Sequence, residues 1–487
     1  MKNVALTIIL AYLTIGTSML TAQQDKDKQA IDRISAYLHE SEKNGLTGAM
    51  LIARGDKILY NEAFGMADKE KNIKNTTKTV FDIGSVSKQF TATAILKLEE
   101  QGKLKVEDVL SSYFKNLPHD KQNITIHQLL IHAAGITRDI GETDFDQIPV
   151  DDYFKQLFAT KLLHEPGSKH DYSNAGYSIL ARIIELVSGQ SYESFLNEYL
   201  FQPAGMNYTG YLLPKWENCT LANGYSYNVI NTGSMIARYQ KDGKVSRVII
   251  GNGGINSTQE DMFKWYLALR SNKILSKSAT KKLTTPYILE FEGETSYYAY
   301  GWVIFKTPRG TNMVAHDGSN ATFFYDFRWL PEEDVAILYA TPSFTGKIGG
   351  MAWWVDKMFF DETYIPKAVE VDFVSTLLNF TYNYKGAANE LASSIKNKFG
   401  DKLDKPFYLN RLSGINLRNN RHDEAIIIAE LNIELFPTDS NIWDSLGHVY
   451  YISGNNLKAL RAYKKAVVLD SENSYAKEMV AKIEAKK

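Results

Sequence analysis

Strand-like runs stand at both ends of residues 26–361, and the stretch between them is rich in helical patterns. Near the start, residues 49–53 form an apolar run, a tight turn follows, and residues 57–64 complete a predicted hairpin. Apolar runs return late in the region, at residues 312–315, 323–329 and 335–339. Because a sheet must bury its apolar faces against other elements, this order predicts an α/β fold of the α+β type. We expect one antiparallel sheet assembled from both ends, flanked by helices, with an inserted all-helical subdomain.

The chain beyond residue 361 has no clear strand pattern and contains a repeat. Its clearest copy has the spacing of a tetratricopeptide repeat, with Trp443, Leu446, Gly447 and Tyr450 followed by Ala459 and Tyr463. A shift of 34 residues toward the N-terminus superposes this copy on apolar positions at Leu409, Leu412, Ala425 and Leu435. We therefore predict tetratricopeptide-like repeats over residues 401–487, after a helical linker over residues 362–400. Two unrelated helical hairpins are the alternative.

The N-terminus has the pattern of a secretory signal peptide. Lys2 precedes an apolar run from Val4 to Leu20, and Ala22 supplies a small residue for cleavage. Threonine, serine and glycine interrupt the run, which is shorter than the ~20 mostly apolar residues of a membrane span. We expect a signal peptide over residues 1–22 and an exported bacterial protein, periplasmic or extracellular.

Charge and cysteine content exclude several classes of function. The formal net charge is −1, whereas a general nucleic-acid binder needs a strong basic surplus. Cys219 is the single cysteine, so the chain can form no internal disulfide and no multi-cysteine zinc or iron–sulfur site. Neither the HExxH motif nor an EF-hand loop is present. We predict no cofactor and no metal, and no nucleic-acid partner.

Ser-x-x-Lys is a nucleophile motif, but it is short and recurs by chance. It occurs here at Ser85, Ser112, Ser278, Ser393 and Ser474. Only Ser85 follows a short apolar approach ending in Gly84 and precedes a buried-looking helix. That frame predicts Ser85 at a helix start, where its backbone N–H is unpaired and can bind an oxyanion. Lys88 then lies one turn further along the same face, within reach of the Ser85 hydroxyl.

Two further motifs have similar frames. Tyr172-Ser173-Asn174 follows Pro166-Gly167 and precedes a helix, which predicts a loop presenting its side chains. His316-Asp317-Gly318 is the only His-x-Gly sequence in the chain, and it ends an apolar run. We expect it at a strand edge.

In this order the three motifs resemble the serine β-lactamase-like superfamily, in the branch of class C β-lactamases, DD-peptidases, D-aminopeptidases and related esterases. Supporting similarity extends from Ser35 to Phe360 and includes the stretches 129–135, 203–206, 253–261 and 300–302. The resemblance implies a β-lactamase/transpeptidase-like hydrolase domain over residues 26–361. The signal sequence and the trailing helical repeats also resemble a common bacterial arrangement of this family.

The resemblance implies that Ser85 attacks an acyl carbonyl and forms an acyl-enzyme. Lys88 and Tyr172 would share the removal of its proton. Either Lys88 accepts the proton after its pKa has fallen, or Tyr172 acts as a phenolate stabilised by Lys88 and His316. The sequence leaves both alternatives open.

The other implied residues bind substrate. Asn174 would hold its amide side and orient Lys88, and the backbone N–H of Ser319 would complete the oxyanion site with that of Ser85. Gly318 would let the substrate backbone approach the strand. His316 stands where β-lactamases of this class have a lysine for the substrate carboxylate. Because histidine titrates near neutrality, efficient antibiotic hydrolysis is in doubt.

These inferences predict an exported serine hydrolase that acts through a Ser85 acyl-enzyme on an ester or a D-residue peptide, with weak β-lactamase activity at most. The repeats would then serve as a docking or self-packing module for a protein partner. The alternative is a non-catalytic sensor or scaffold that binds cell-wall fragments and acts through its repeats. The natural substrate and the choice between hydrolysis and transpeptidation are not encoded in these motifs.

Overall fold

A computed structural model describes residues 2–345 and 348–485, and for residues 2–20 it describes the backbone alone. The predicted signal peptide, residues 1–22, therefore falls almost wholly outside the fully described residues. The chain forms two compact units, one of residues up to Ser226 with Ile230–Glu370, the other of Tyr227–Val229 with the residues from Val371 onward. Within the fully described residues, no helix combines the length and apolar character needed to cross a membrane.

In the part of the chain that the structure describes, every strand belongs to the first unit. In chain order they are β1 (Gly48–Arg54), β2 (Lys57–Phe64), β3 (Met66–Asp68), β4 (Ile73–Lys74), β5 (Phe81–Asp82), β6 (Gly224–Ser226), β7 (Ile230–Gly233), β8 (Gln240–Lys241), β9 (Lys244–Val245), β10 (Asn256–Ser257), β11 (Ile288–Leu289), β12 (Tyr297–Tyr298), β13 (Val303–Lys306), β14 (Asn312–Asn320), β15 (Phe323–Leu330) and β16 (Val335–Thr341).

The helices of the first unit surround its sheet. In chain order they are α1 (Lys2–Lys43), α2 (Lys88–Glu100), α3 (Ile126–Leu130), α4 (Val150–Ala159), α5 (Asn174–Ser188), α6 (Tyr192–Leu196), α7 (Gln202–Ala204), α8 (Met235–Tyr239), α9 (Gln259–Arg270), α10 (Lys277–Leu283) and α11 (Met351–Phe360).

The main sheet has eight strands in the order β11-β12-β13-β14-β15-β16-β1-β2, and every pairing in it is antiparallel. Ala49 of β1 faces Ala340 of β16, so the early hairpin joins the late strands directly. The sheet is thus assembled from both ends of the unit, with the helix-rich stretch between them. This confirms the predicted fold class.

Both faces of the sheet are buried, because alternate residues of each strand point to opposite sides. On one side, Leu51 packs in a core with Phe90 and Ile95 of α2. On the other, Ile52 packs in a second core with Ile34 of α1 and further side chains of α11. Each such apolar side chain contributes ~1.5–3 kcal/mol by leaving water.

The strand β14 is longer than the sequence predicted. Its apolar run ends at Ala315, but pairing with β15 continues through Asn320. Pairing with β13 stops at Ala315. Residues 316–320 therefore have a strand neighbour on one side only. The polar composition of this segment concealed its extended conformation, and it matches the predicted strand edge.

The second unit is helical. Its helices are α12 (Phe373–Tyr382), α13 (Leu391–Phe399), α14 (Pro406–Arg418), α15 (His422–Leu435), α16 (Ser440–Ile452), α17 (Asn456–Leu469) and α18 (Ser474–Glu484). The pairs α14–α15 and α16–α17 begin 34 residues apart, at Pro406 and Ser440. Two successive hairpins with this period are consistent with the predicted repeats. Their tetratricopeptide character, and the predicted domain limits, remain predictions.

Candidate active site

Ser85 lies in a turn that the sheet and a helix hold from both sides. The short strand β5 pairs with β10 and leads into a 3-10 helix, Gly84–Ser87, which continues directly into α2. Gly84 has φ +52°, a conformation that favours glycine, and its N–H donates to Oδ1 of Asp82 at 2.7 Å. Ser85 is half-buried whereas its neighbours in the turn are buried, so the serine is the accessible residue of the turn.

Lys88 is fully buried at the start of α2. Its Nζ lies 3.0 Å from Oγ of Ser85, 2.9 Å from Oδ1 of Asn174 and 2.7 Å from the carbonyl oxygen of Asn252. Among the described residues it forms no ion pair. Burial, and after it the positive charge of Arg138, lower the pKa of Lys88 well below its ordinary value.

The three oxygens match the three N–H donors of an ammonium, and they are equally compatible with a neutral amine, the form that the lowered pKa of Lys88 favours. The neutral amine has two N–H groups and one lone pair. The two oxygens of Asn174 and Asn252 can only accept, so they use both N–H groups. In the neutral form the lone pair is left for the Ser85 hydroxyl, which would then donate to Nζ across the 3.0 Å that separate the two atoms. Nζ of a neutral Lys88 thus lies within hydrogen-bonding distance of the hydroxyl whose proton a general base would remove.

Tyr172 and Asn174 come from one loop at the start of α5. Ser173 caps this helix, since its Oγ accepts the N–H of Gly176 at 2.9 Å. The Lys88 Nζ lies 4.7 Å from the centre of the Tyr172 ring. Burial raises the pKa of Tyr172, although a hydrogen bond with Ser85 acts against that shift. The phenol is therefore protonated near neutral pH, which favours Lys88 over Tyr172 as the base.

His132 packs against the loop that carries Tyr172 and Asn174. The ring accepts the backbone N–H of Ser173 on Nδ1 at 3.0 Å, and its centroid lies 4.1 Å from that of Tyr172. The backbone carbonyl of His132 also accepts the N–H of Asp171 at 2.7 Å. Its contacts therefore position the Tyr172 loop.

His316 faces the site from β14 and is buried. Its Nδ1–H donates to the carbonyl oxygen of Asp317 at 2.6 Å, so Nε2 accepts the hydroxyl of Tyr298 at 3.0 Å. Burial lowers the pKa of His316 to about 3. The sequence-based expectation of titration near neutrality is therefore wrong, because it ignored the loss of hydration.

Gly318 brings β14 against the nucleophile turn. A Cβ on Gly318 would lie 2.2 Å from the carbonyl oxygen of Ile83 and 2.4 Å from the backbone nitrogen of Ser85. A Cβ on Gly84 would lie 2.7 Å from the backbone nitrogen of Ser319. Two glycines thus allow the backbone segments with the predicted oxyanion donors to touch. The sequence predicts substrate backbone against Gly318, whereas in the structure the backbone of Ile83–Ser85 lies there.

Three contributors to the site lie outside the three motifs. Asn252 provides a main-chain carbonyl, Tyr298 holds His316, and the charge of Arg138 acts on Lys88. A main-chain carbonyl has no sequence signature, although the adjacent Gly253-Gly254 matched the family. Among the described residues, no group of His, Cys, Asp and Glu side chains is arranged to hold a metal ion.

Comparisons with known proteins agree on one family. The family model described as Beta-lactamase matches residues 29–356. The putative penicillin-binding protein PbpX of Bacillus subtilis (strain 168) is 34% identical over 288 residues, which cover 59% of this chain and 69% of that protein.

Solved structures give the same result. A penicillin-binding protein from Bacillus halodurans superposes with a TM-score of 0.55 at 26% identity, covering 66% of this chain and 99% of the other. A beta-lactamase/D-alanine carboxypeptidase from Yersinia pestis, complexed with citrate, gives a TM-score of 0.57 at 22% identity, covering 68% and 97%. The second match shows the fold alone.

Proposed function

This chain belongs to the Beta-lactamase family, and on that premise we propose that it is a serine hydrolase that forms an acyl-enzyme at Ser85. The observation that carries the proposal is the set of contacts around Lys88. A fully buried amine without an ion pair among the described residues lies 3.0 Å from a solvent-accessible serine hydroxyl. Such an arrangement is costly to maintain unless it serves chemistry.

In the first step, Oγ of Ser85 forms a bond to the acyl carbonyl carbon while its proton moves to Nζ of Lys88. The carbonyl oxygen becomes an oxyanion. The backbone N–H groups of Ser85 and Ser319 would stabilise it, and one such donor is worth ~3–4 kcal/mol in the transition state. The contact between Gly84 and Ser319 supports this assignment.

In the second step, the bond to the leaving group breaks and the leaving group takes up a proton. The Lys88 ammonium would supply that proton, with the Tyr172 hydroxyl as the relay, since Tyr172 hydrogen-bonds Ser85 and packs against Lys88. Water then attacks the acyl-enzyme, with Lys88 again as base, and releases Ser85. If an amine replaces water, the same intermediate gives transpeptidation.

The substrate we propose is an ester or a D-residue peptide. Asn174 would bind its amide side while holding Lys88 at 2.9 Å. His316 lacks the fixed positive charge of a lysine, because burial lowers its pKa to about 3. We therefore expect weak β-lactam hydrolysis at most. Export to the periplasm or medium, and tetratricopeptide-like docking of a protein partner on the second unit, are parts of the same proposal.

The test is covalent labelling combined with turnover. Wild-type protein should hydrolyse a 4-nitrophenyl ester and gain the mass of one fluorophosphonate on Ser85. Ser85→Ala should lose both, with turnover falling by at least ~10³-fold. Ser278→Ala is the matched control, since Ser278 also begins a Ser-x-x-Lys sequence but lies in α10.

Two results would overturn the proposal. The first is turnover that persists in purified Ser85→Ala protein. The second is wild-type protein that neither turns over esters, β-lactams or D-Ala peptides nor takes up any label. In that second case, capture of a partner by the helical unit would favour the sensor or scaffold instead.

A further inference from the structure

The loop that carries Arg138 is hydrogen-bonded to the loop that carries Tyr172 and Asn174. The carbonyl oxygen of Thr137 accepts the hydroxyl of Ser173 at 2.7 Å. The carbonyl oxygen of Arg138 accepts the N–H of Ala175 at 3.0 Å. These two bonds fix the backbone on which the Arg138 side chain stands, directly beside the site residues.

The Arg138 guanidinium lies over the site. Its central carbon is 5.8 Å from the centre of the Tyr172 ring, and the residue is exposed. Among the described residues the side chain has no ion pair and no hydrogen bond. An arginine fork has five N–H donors and remains charged at every physiological pH, so this one is available to a ligand.

Neighbouring carboxylates do not occupy Arg138. Asp139 is next in the chain, but its Oδ1 accepts the N–H of Gly141 at 3.2 Å, within its own turn. Asp144 is half-buried, and the positive charges acting on it are those of Lys88 and Arg238. Among the described residues, the Arg138 guanidinium therefore has the Tyr172 ring as its neighbour and no carboxylate as an ion-pair partner.

The other basic residues at the site cannot supply a fixed charge. Both nitrogens of His316 are hydrogen-bonded within the protein, to Tyr298 and to the carbonyl of Asp317. Lys88 uses its amine on Asn174, Asn252 and Ser85. An anionic substrate group would meet Arg138 as an accessible charged donor, at a site on which the negative charges of Asp317 and Glu290 also act.

We propose that Arg138 binds a carboxylate of the substrate, so that this site selects acyl compounds carrying an anionic group near the scissile bond. The inference rests on the proposed function, since it names the substrate class of the same site. The guanidinium would bind the carboxylate by a bidentate pair of hydrogen bonds, for which its planar fork is shaped. Arg138 then determines specificity, whereas Ser85 and Lys88 perform the chemistry.

The experiment compares two matched pairs of esters. In the first pair the acyl part is charged or neutral: 4-nitrophenyl hemiadipate and 4-nitrophenyl hexanoate. In the second the leaving group is charged or neutral: 3-carboxyphenyl hexanoate and phenyl hexanoate. The quantity measured is the ratio of kcat/KM for the charged ester to that for the neutral ester, in wild type, Arg138→Ala and Arg138→Lys.

We expect the ratio to fall about tenfold or more in Arg138→Ala for at least one pair, mainly through KM, because a charge-assisted hydrogen bond is lost. The pair that responds tells whether the carboxylate sits on the acyl part or on the leaving group. Arg138→Lys should give an intermediate ratio, since it keeps the charge and loses the fork. Lys103→Ala removes an exposed positive charge elsewhere on the unit and should keep the wild-type ratio.

A ratio that Arg138→Ala leaves unchanged in both pairs would overturn the inference while leaving the serine hydrolase intact. The same holds if Lys103→Ala lowers the ratio as much as Arg138→Ala, because net charge alone would then explain the effect. Wild-type protein that is inert toward all four esters and toward a fluorophosphonate would overturn the proposed function, and the inference with it.

Discussion

The two units of this protein differ in what they bury. The first unit buries titratable side chains, including Asp82, Lys88, His132 and His316. In the described part of the second unit, the buried polar side chains are serine, threonine and asparagine, and the buried titratable groups are the phenols of Tyr450 and Tyr463. Burial raises the pKa of both phenols, so they are neutral at pH 7. Burying a charged titratable group costs free energy unless partners compensate it. The buried titratable side chains of the first unit therefore indicate a functional role rather than a contribution to stability. This difference supports placing the proposed chemistry in the first unit.

The units also differ in how their contacts relate to the chain. In the first, β1 pairs with β16, so residues almost 300 positions apart, Ala49 and Ala340, are neighbours. In the second, neighbouring helices follow one another, and Tyr463 of α17 packs with Leu446 of α16. A site of several motifs needs the first kind of assembly, whereas a helical array needs only local contacts.

The largest expected difference in acylation rate is between two variants, each with one lysine replaced by methionine, one in each unit. Lys88→Met should lower acylation of Ser85 by ~10²–10⁴-fold, because the general base is removed. The measurement is the rate of mass gain with an activated ester. Lys458→Met, at an exposed position of the second unit, should acylate at the wild-type rate. Rapid acylation of Lys88→Met would show that Lys88 is not the base.

The next largest effect should follow from replacing closely packed glycines by alanine. Gly318→Ala would push Cβ to 2.2 Å from backbone, which cannot yield easily, so we expect a loss of ~10²-fold or more in kcat as the oxyanion donors are displaced. Gly447→Ala meets the Tyr463 ring at 2.8 Å and should instead destabilise the helical unit by ~1–3 kcal/mol. Ester turnover and denaturant unfolding, measured on both variants, separate the two outcomes.

Gly400→Ala is the control for both variants, because a Cβ there has no neighbour within 4 Å. It should match wild type in activity and in unfolding. If Gly318→Ala retains full activity, the backbone contact between β14 and the nucleophile turn is not required for catalysis.

The smallest effect should follow from removing the second unit. A chain ending at Glu370 keeps Val369, which packs in the core beside α1 and the sheet. We expect its kcat/KM on a small ester to stay within about threefold of wild type, since independent cores tolerate separation. Circular dichroism checks that it is folded. A folded but inactive fragment would contradict the division of roles between the units.

Strand patterns predicted the fold class and the Ser85–Lys88 spacing predicted that pair, because both are local signals, whereas the resemblance to the family predicted that the three distant motifs lie together. The 34-residue period likewise anticipated hairpins beginning at Pro406 and Ser440. The sequence did not predict the length of β14, whose polar residues are held extended by β15.

The protonation states also escaped prediction. Those of Lys88 and His316 depend on burial, which only the assembled structure supplies. The roles of Asn252 and Arg138 depend on chain segments that meet in space, and no spacing encodes them.

The central claim is that Lys88 is neutral in the resting protein and takes the Ser85 proton. Its most direct test is the pH dependence of the second-order acylation rate, followed by intact mass between pH 5 and pH 11. Because a lowered pKa leaves the amine deprotonated above that value, the rate should rise through a midpoint well below the ordinary lysine pKa of ~10.4 and then stay level. A rate that rises only above about pH 10, as expected for an ordinary lysine or for the Tyr172 phenol, would contradict the claim.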